Sequence, residues 1–269
     1  MDNTYIIGSG NLSNLLGQKI SNTKIYSAEE FLNNIDRINK KKKINLIINS
    51  FYSSSQLKKL NSQELFVKKT LFEISKILDL LNPTVIKKII YTSSASTYGI
   101  DNQTINLKDD NNRFIYAIFK MSAEFMIKNY CLKKNITFII CRIFNIYGGE
   151  DKFSILQKLK KAAISKKKII IFNSGKSIRD FIHIDDVIII YNYILKKKIK
   201  SGTYDIGTGI GIRIIDIIKK IKFKKQNLVY KKTQTMEIKK SVANNTKLFK
   251  QITKLKFKKI DDYLTCNNI

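Results

Sequence analysis

The chain has 269 residues and 43% apolar content, enough for one large domain or a domain with a small companion around a buried core. Its formal charge is +29, yet the Lys runs at 40–43, 166–168 and 196–198 fall between predicted elements and do not interleave with aromatics. Drift in a chain rich in Lys, Ile and Asn is therefore preferred to a nucleic-acid surface.

Three scattered Cys (131, 141 and 266) argue against a disulfide framework and against a metal site. No apolar run approaches the roughly 18 residues that span a membrane. Met1-Asp2-Asn3 does not open a signal peptide, so a reducing, cytoplasmic compartment is expected.

In chain order, Tyr5-Ile6-Ile7 reads as a strand and a helix follows through Leu15-Leu16. Lys24–Tyr26 is a short strand, residues near 31–38 are helical and Ile44–Ile48 is a strand. Apolar positions 65, 66, 71, 74, 77, 78 and 81 predict a long helix over 63–81, which Asn82-Pro83 ends. Then come a strand over 86–91, a helix over 116–133, a strand over 136–141, a helix over 153–163 and a strand over 168–172.

This alternation implies right-handed crossovers and a parallel sheet covered on both faces. Ligands then bind at the carboxyl ends of the strands. The region after Ser201 is less regular and reads as a smaller lobe, which suggests domains of 1–200 and 201–269.

Tyr116 and Lys120 are the chemically informative pair. They stand four residues apart, so a helix puts them on one face, and a nearby ammonium favours the phenolate. With 13 Tyr and 45 Lys (50 basic residues less five Arg), roughly two Tyr-x-x-x-Lys matches arise by chance, and there are three. Only Tyr116/Lys120 follows a strand that ends in Thr92-Ser93-Ser94-Ala95-Ser96-Thr97-Tyr98-Gly99.

Gly8-Ser9-Gly10-Asn11-Leu12-Ser13 follows the first strand and opens a helix, where glycines allow close approach of a pyrophosphate. Ser13 stands where a third glycine would serve, which predicts a looser helix–strand contact. No Asp stands about 20 residues on, where an adenosine ribose is usually held. Glu29 and Glu30 are the nearest acids and read first as helix-start charges.

Together these segments resemble the NAD-dependent epimerase/dehydratase family, the extended short-chain dehydrogenase/reductases that act on nucleotide sugars. Tyr116-Ala117-Ile118-Phe119-Lys120, Arg142-Ile143-Phe144-Asn145-Ile146-Tyr147-Gly148, Arg179-Asp180-Phe181-Ile182-His183 and Tyr204-Asp205-Ile206-Gly207-Thr208-Gly209 extend the likeness to about residue 209. The resemblance implies an α/β, Rossmann-type doubly wound parallel sheet with a small C-terminal substrate-binding lobe, some substrate contacts coming from 142–165.

It also implies that Ser94, Tyr116 and Lys120 are catalytic. Gly8, Gly10, Ser13, Tyr116 and Lys120 would bind NAD, with NADP left open, and Ser94, Asn145 and Arg179 would touch the substrate. Arg142 reads as a structural anchor and His183 as structural. A homodimer through the helices of 63–81 and 116–133 is implied as well.

The chain departs from the family at Phe66, where Asn is common. It also lacks an evident Arg around Lys231 to Glu237, and its glycine loop is one residue short.

The family's 4,6-dehydratases carry Asp-Glu after the catalytic Ser or Thr, whereas this chain has Ala95-Ser96. Enzymes that epimerise at C3 and C5 place a Cys after the Ser pair, and this position is Ala95. The reaction implied is epimerisation through a transient keto sugar. One-way reduction of a 4-keto sugar is the alternative, and a non-catalytic dinucleotide sensor or nucleic-acid binder the remote one.

Overall fold

A computed structural model describes residues 2–49, 63–99, 112–151, 154–165, 167–221, 227–232, 238–253 and 255–265. Phe153 at the start of a predicted helix, Lys166, most of the Lys231 to Glu237 stretch and Cys266 lie outside the described residues.

The strands are β1 (Asn3–Ile7), β2 (Thr23–Tyr26), β3 (Ile44–Ile48), β4 (Ile86–Ser94), β5 (Thr137–Ile143), β6 (Asn145–Tyr147), β7 (Ile169–Phe172), β8 (Ile178–His183), β9 (Gly202–Ile206), β10 (Gly211–Arg213), β11 (Leu228–Lys231) and β12 (Lys240–Ser241). Packing divides the chain into two compact units, Met1–Arg142 with Tyr191–Tyr204, and Ile143–Ile190 with Asp205–Ile269. The sequence suggested a single cut near residue 200, whereas this division is interleaved.

Lys88 gives one reason for the return to the first unit. Its ammonium is buried and donates to the carbonyls of Ile194 (2.6 Å) and Lys197 (3.0 Å), at the end of helix Ile184–Lys196. A cation there satisfies orphan carbonyls and suits the helix dipole. The Tyr191 hydroxyl also bonds the Thr92 hydroxyl at 2.8 Å.

The central sheet runs β2-β1-β3-β4-β5-β9, and β1 pairs in parallel with β2 and β3, as β3 does with β4. This is a doubly wound order whose direction reverses between β1 and β3, and β2 is an edge strand. All five residues of β3 are buried, as expected of a strand covered on both faces. Tyr5, Phe31, Ile48, Ile77, Tyr91 and Ile127 belong to one core cluster.

Two predicted helices are interrupted. The stretch near 31–38 is Ala28–Asn33 and Ile35–Asn39, broken at Asn34, whose amide donates to the Glu30 carbonyl at 2.8 Å. The predicted 63–81 helix is Gln63–Val67 and Glu73–Leu80 around a π-helical turn, Lys68–Phe72. Inside that turn the buried Thr70 hydroxyl donates to the Phe66 carbonyl at 2.7 Å, a back-bond that loosens helical pairing.

In the second unit β8 is the organising strand. It pairs antiparallel with β10 and parallel with β6 and β12. Asp180 is fully buried, and its carboxylate accepts from the Thr208 N–H (3.0 Å) and hydroxyl (2.6 Å), the Gly209 N–H (2.8 Å) and the Ala243 N–H (3.2 Å). A Cβ on Gly207 would sit 2.7 Å from that carboxylate, so glycine is required there. The Arg-Asp-Phe-Ile-His and Gly-Thr-Gly segments thus form one loop clamp.

Candidate active site

Ser94 ends β4, and Tyr116 and Lys120 lie on one face of helix Asn112–Lys133. The Ser94 and Tyr116 hydroxyls are hydrogen-bonded to each other. Ser94 Oγ also accepts from the Ser96 N–H (3.2 Å) and hydroxyl (3.0 Å), which fixes the turn Ala95–Gly99.

Lys120 is buried and donates to the Thr92 carbonyl at 2.7 Å. Its Nζ lies 4.9 Å from the centre of the Tyr91 ring and 5.9 Å from that of Tyr116.

Burial dominates the electrostatics. It pushes the Tyr116 phenol up to about 12, opposed by the Ser94 hydrogen bond. It pushes Lys120 down to about 7, opposed by the charge of Glu124. The sequence led us to expect Lys120 to depress the phenol. The Ser94 hydrogen bond acts in that direction, and the Lys120 ammonium lies 5.9 Å from the centre of the phenol ring.

Glu124 is the residue that the sequence reading missed. It is buried, accepts from the Ser93 hydroxyl, and takes a two-pronged bond from Arg142 (Nη2 2.7 Å, Nε 3.1 Å). The Arg142 guanidinium lies 4.5 Å over the Tyr98 ring. Arg142 is thus the anchor its sequence context suggested. The available signal for Glu124 was an acid four residues past Lys120, on the same face of a packed helix. The Tyr91 hydroxyl is buried with no hydrogen-bond partner among the described residues.

The glycine loop lies at the end of β1. Gly8 has φ +121, which favours glycine, and its N–H donates to the Tyr26 carbonyl at 2.8 Å. Gly10 caps helix Asn11–Lys19, and a Cβ there would meet no heavy atom within 4 Å. Ser13 is buried and accepts from the Asn49 amide at 2.6 Å.

Ser9, Ile25, Tyr26, Ser27, Glu29, Glu30 and Asn33 line an open cleft of about 600 Å³. Glu30 closes a capping box with Ser27 (2.7 and 3.1 Å), which realises its helix-start reading. The Ser27 hydrogen bonds hold its carboxyl below the usual range. The open loop and the helix start suit a pyrophosphate.

In the second unit, the β6–β8 pairing sets Asn145 opposite Phe181, and the Asn145 amide donates to the Asp180 carbonyl at 2.8 Å. Half-buried Arg179 donates to the Ile178 carbonyl at 2.9 Å. His183 Nδ1 accepts from the Asp185 N–H at 3.1 Å, and its ring packs edge-on to Tyr147 at 5.1 Å. A Cβ on Gly148 (φ +91) would lie 2.4 Å from His183 Nε2. These contacts fit a structural His183. Among the described residues no cluster of His, Cys, Asp and Glu could hold a metal ion.

Over residues 26–207, more than half of its length, the sequence matches the NAD dependent epimerase/dehydratase family, and the chain belongs to that family. It is 27% identical over 203 residues to dTDP-D-glucose 4,6-dehydratase of Dictyostelium discoideum, a match covering 70% of this chain and 46% of that protein. The chain spans about half the length of the curated relatives it matches.

Among solved structures it is similar to UDP-glucose 4-epimerase from Thermotoga maritima, in complex with UDP-glucose. The TM-score is 0.75 at 17% identity, covering 93% of this chain and 92% of that one. It is also similar to UDP-glucuronic acid 4-epimerase from Bacillus cereus, in complex with UDP-glucuronic acid and NAD. There the TM-score is 0.74 at 19% identity, covering 97% and 96%. At these identities the likeness concerns the fold.

Proposed function

We propose that this protein is an NAD-dependent nucleotide-sugar 4-epimerase that works through a transient keto sugar. The observation that carries the reading is the Ser94–Tyr116 hydroxyl pair with Lys120 buried beside it. Family membership adds support, and so does the likeness to a fold that carries NAD and a nucleotide sugar in the Bacillus cereus enzyme.

Gly8, Gly10 and Ser13 would hold the dinucleotide phosphates, and Lys120 with Tyr116 the nicotinamide ribose. Bound NAD supplies the hydride acceptor and, in the return step, the hydride donor. Ser94 orients the sugar hydroxyl toward Tyr116. Tyr116, in its phenolate form, would accept the hydroxyl proton as the keto group forms and return it when the alcohol is restored. Lys120 supplies positive charge close to that proton.

Ala95 and Ser96 place no carboxylate next to Ser94, so the acid–base pair that dehydration needs is missing. Asn145 and Arg179 would contact the nucleotide diphosphate, where the planar fork of Arg suits phosphate.

Glu29 and Glu30 line the cleft at the end of β2, and their charge opposes a 2′-phosphate, which favours NAD over NADP. The described helices include none long and apolar enough to cross a membrane, and a cytoplasmic site is proposed. Exposed Phe72 (55%), Phe125 (63%) and Leu132 (62%) on helices of the first unit support a homodimer through those helices. Light scattering of Phe125→Asp should report loss of the dimer, and a wild-type monomer would refute this part.

The central test is Tyr116→Phe. Turnover of a nucleotide hexose should fall by about 10²–10⁴-fold with substrate binding retained. Activity that survives the change would overturn the reading. Mass spectrometry of cofactor released from denatured protein separates the two reactions. Retained NAD supports the epimerase, and empty protein that oxidises NADPH with a keto sugar supports the reductase.

A further inference from the structure

We propose that Glu124 is a positioning residue for the Ser94, Tyr116 and Lys120 group. Its carboxylate fixes the end of β4 against the helix that carries Tyr116 and Lys120, and its charge favours the ammonium form of Lys120. The proposal rests on the reading of that group as the proton-handling site.

Three observations carry it. First, the Ser93 hydroxyl donates to Glu124, and Ser93 adjoins Ser94, so this bond sets the strand end that presents Ser94. Second, Arg142 grips Glu124 at 2.7 and 3.1 Å and lies 4.5 Å over the Tyr98 ring. The same carboxylate thereby steadies the turn Ala95–Gly99 that follows Ser94. Third, Glu124 lies one helical turn beyond Lys120 and two beyond Tyr116, on the same face.

Lys120 faces the Thr92 carbonyl and the Tyr91 ring from β4, and Tyr116 and Glu124 from its own helix. Arg142, from β5, is bonded to that Glu124. Of these groups Glu124 carries the negative charge, and it opposes the burial that drives Lys120 down to about 7. Burial thus brings Lys120 toward neutral pH, and the Glu124 charge favours its proton.

The test compares Glu124→Gln, Glu124→Asp and the double variant Glu124→Gln/Arg142→Gln, the last leaving neither partner charged and unpaired. Turnover is followed against pH, and Lys120 is titrated directly by isotope-edited NMR. Glu124→Gln should lower kcat about tenfold or more with KM little changed. The pH above which activity falls, as Lys120 loses its proton, should move downward. The double variant should show the same displacement, which keeps the test alive if the single variant does not fold. Glu124→Asp keeps the charge at a shorter reach, so it should restore the pH profile while kcat stays low.

Folded Gln variants that titrate Lys120 as wild type does, and lose activity at the wild-type pH, would overturn the proposal. If Tyr116→Phe retains turnover, the reading of the site fails. The NMR titration still decides whether Glu124 controls the Lys120 charge.

Discussion

Two buried lysines lie against the same strand and do different things. Lys88, on β4, is pushed down to about 8, first by burial and then by the charge of Lys87. Lys120, held at the far end of β4, is pushed down to about 7 by burial. A shifted pKa alone does not separate them. Their neighbours do. Lys88 faces the carbonyls of Ile194, Leu195 and Lys197 and ties a helix end to the sheet. Lys120 faces one carbonyl, two phenol rings and, through its charge, Glu124. The first environment can only be satisfied, whereas the second can exchange a proton with something that enters it.

The largest expected effect tests the reactive side of this comparison. Lys120→Met should cost at least about 10²-fold in turnover, because the charge beside Tyr116 is gone. The fold should survive, since a buried cation is exchanged for an apolar chain of similar length. Steady-state kinetics and thermal unfolding on one preparation check both halves. A folded Lys120→Met enzyme with wild-type turnover would erase the distinction between the two lysines.

Lys88→Met should show the reverse. Leaving several helix-end carbonyls without their donor should cost roughly 1–3 kcal/mol of stability. Turnover per folded molecule should hold. Denaturant midpoints and active-site-normalised rates measure the two. A large loss of rate without loss of stability would place Lys88 in the chemistry and break the comparison from the other side.

The site was legible where its residues are close in sequence. The Tyr116–Lys120 spacing is a helical repeat, and Ser94 lies at the end of an apolar run, so local rules place both. The alternation of strands and helices gave the parallel sheet for the same reason. What escaped depends on distant partners.

Glu124 becomes meaningful only once β5 brings Arg142 to it. The interleaved units follow from Lys88 bonding residues more than a hundred positions away. Asp180 read as one letter of a motif, and its role as a clamp needed Thr208, Gly209 and Ala243 in place. The π-helical turn at Lys68–Phe72 hid because the apolar spacing on either side of it is ordinary.

The smallest expected effect separates the lysines without any substrate. A lysine whose folded pKa lies below its unfolded value of about 10.4 binds fewer protons when folded. Its stabilising contribution is complete above the unfolded pKa and is lost as pH falls through the folded one. For Lys120 that loss reaches down to about 7, and for Lys88 to about 8.

Buried Cys131 and Cys141 act in the opposite sense, since burial pushes both thiols up to about 12, so above roughly pH 8.5 they oppose the lysines. Between pH 7 and 8 Lys120 supplies the larger part of the lysine signal and Lys88 a smaller part. Stability of the wild type should rise there with a slope of about 1 kcal/mol per pH unit. Lys120→Met should flatten that slope, while Lys88→Met should leave most of it. Denaturant titrations at three or four pH values suffice to read it. Equal slopes in both variants would mean that the two lysines titrate alike, and that only their neighbours, not their protons, set them apart.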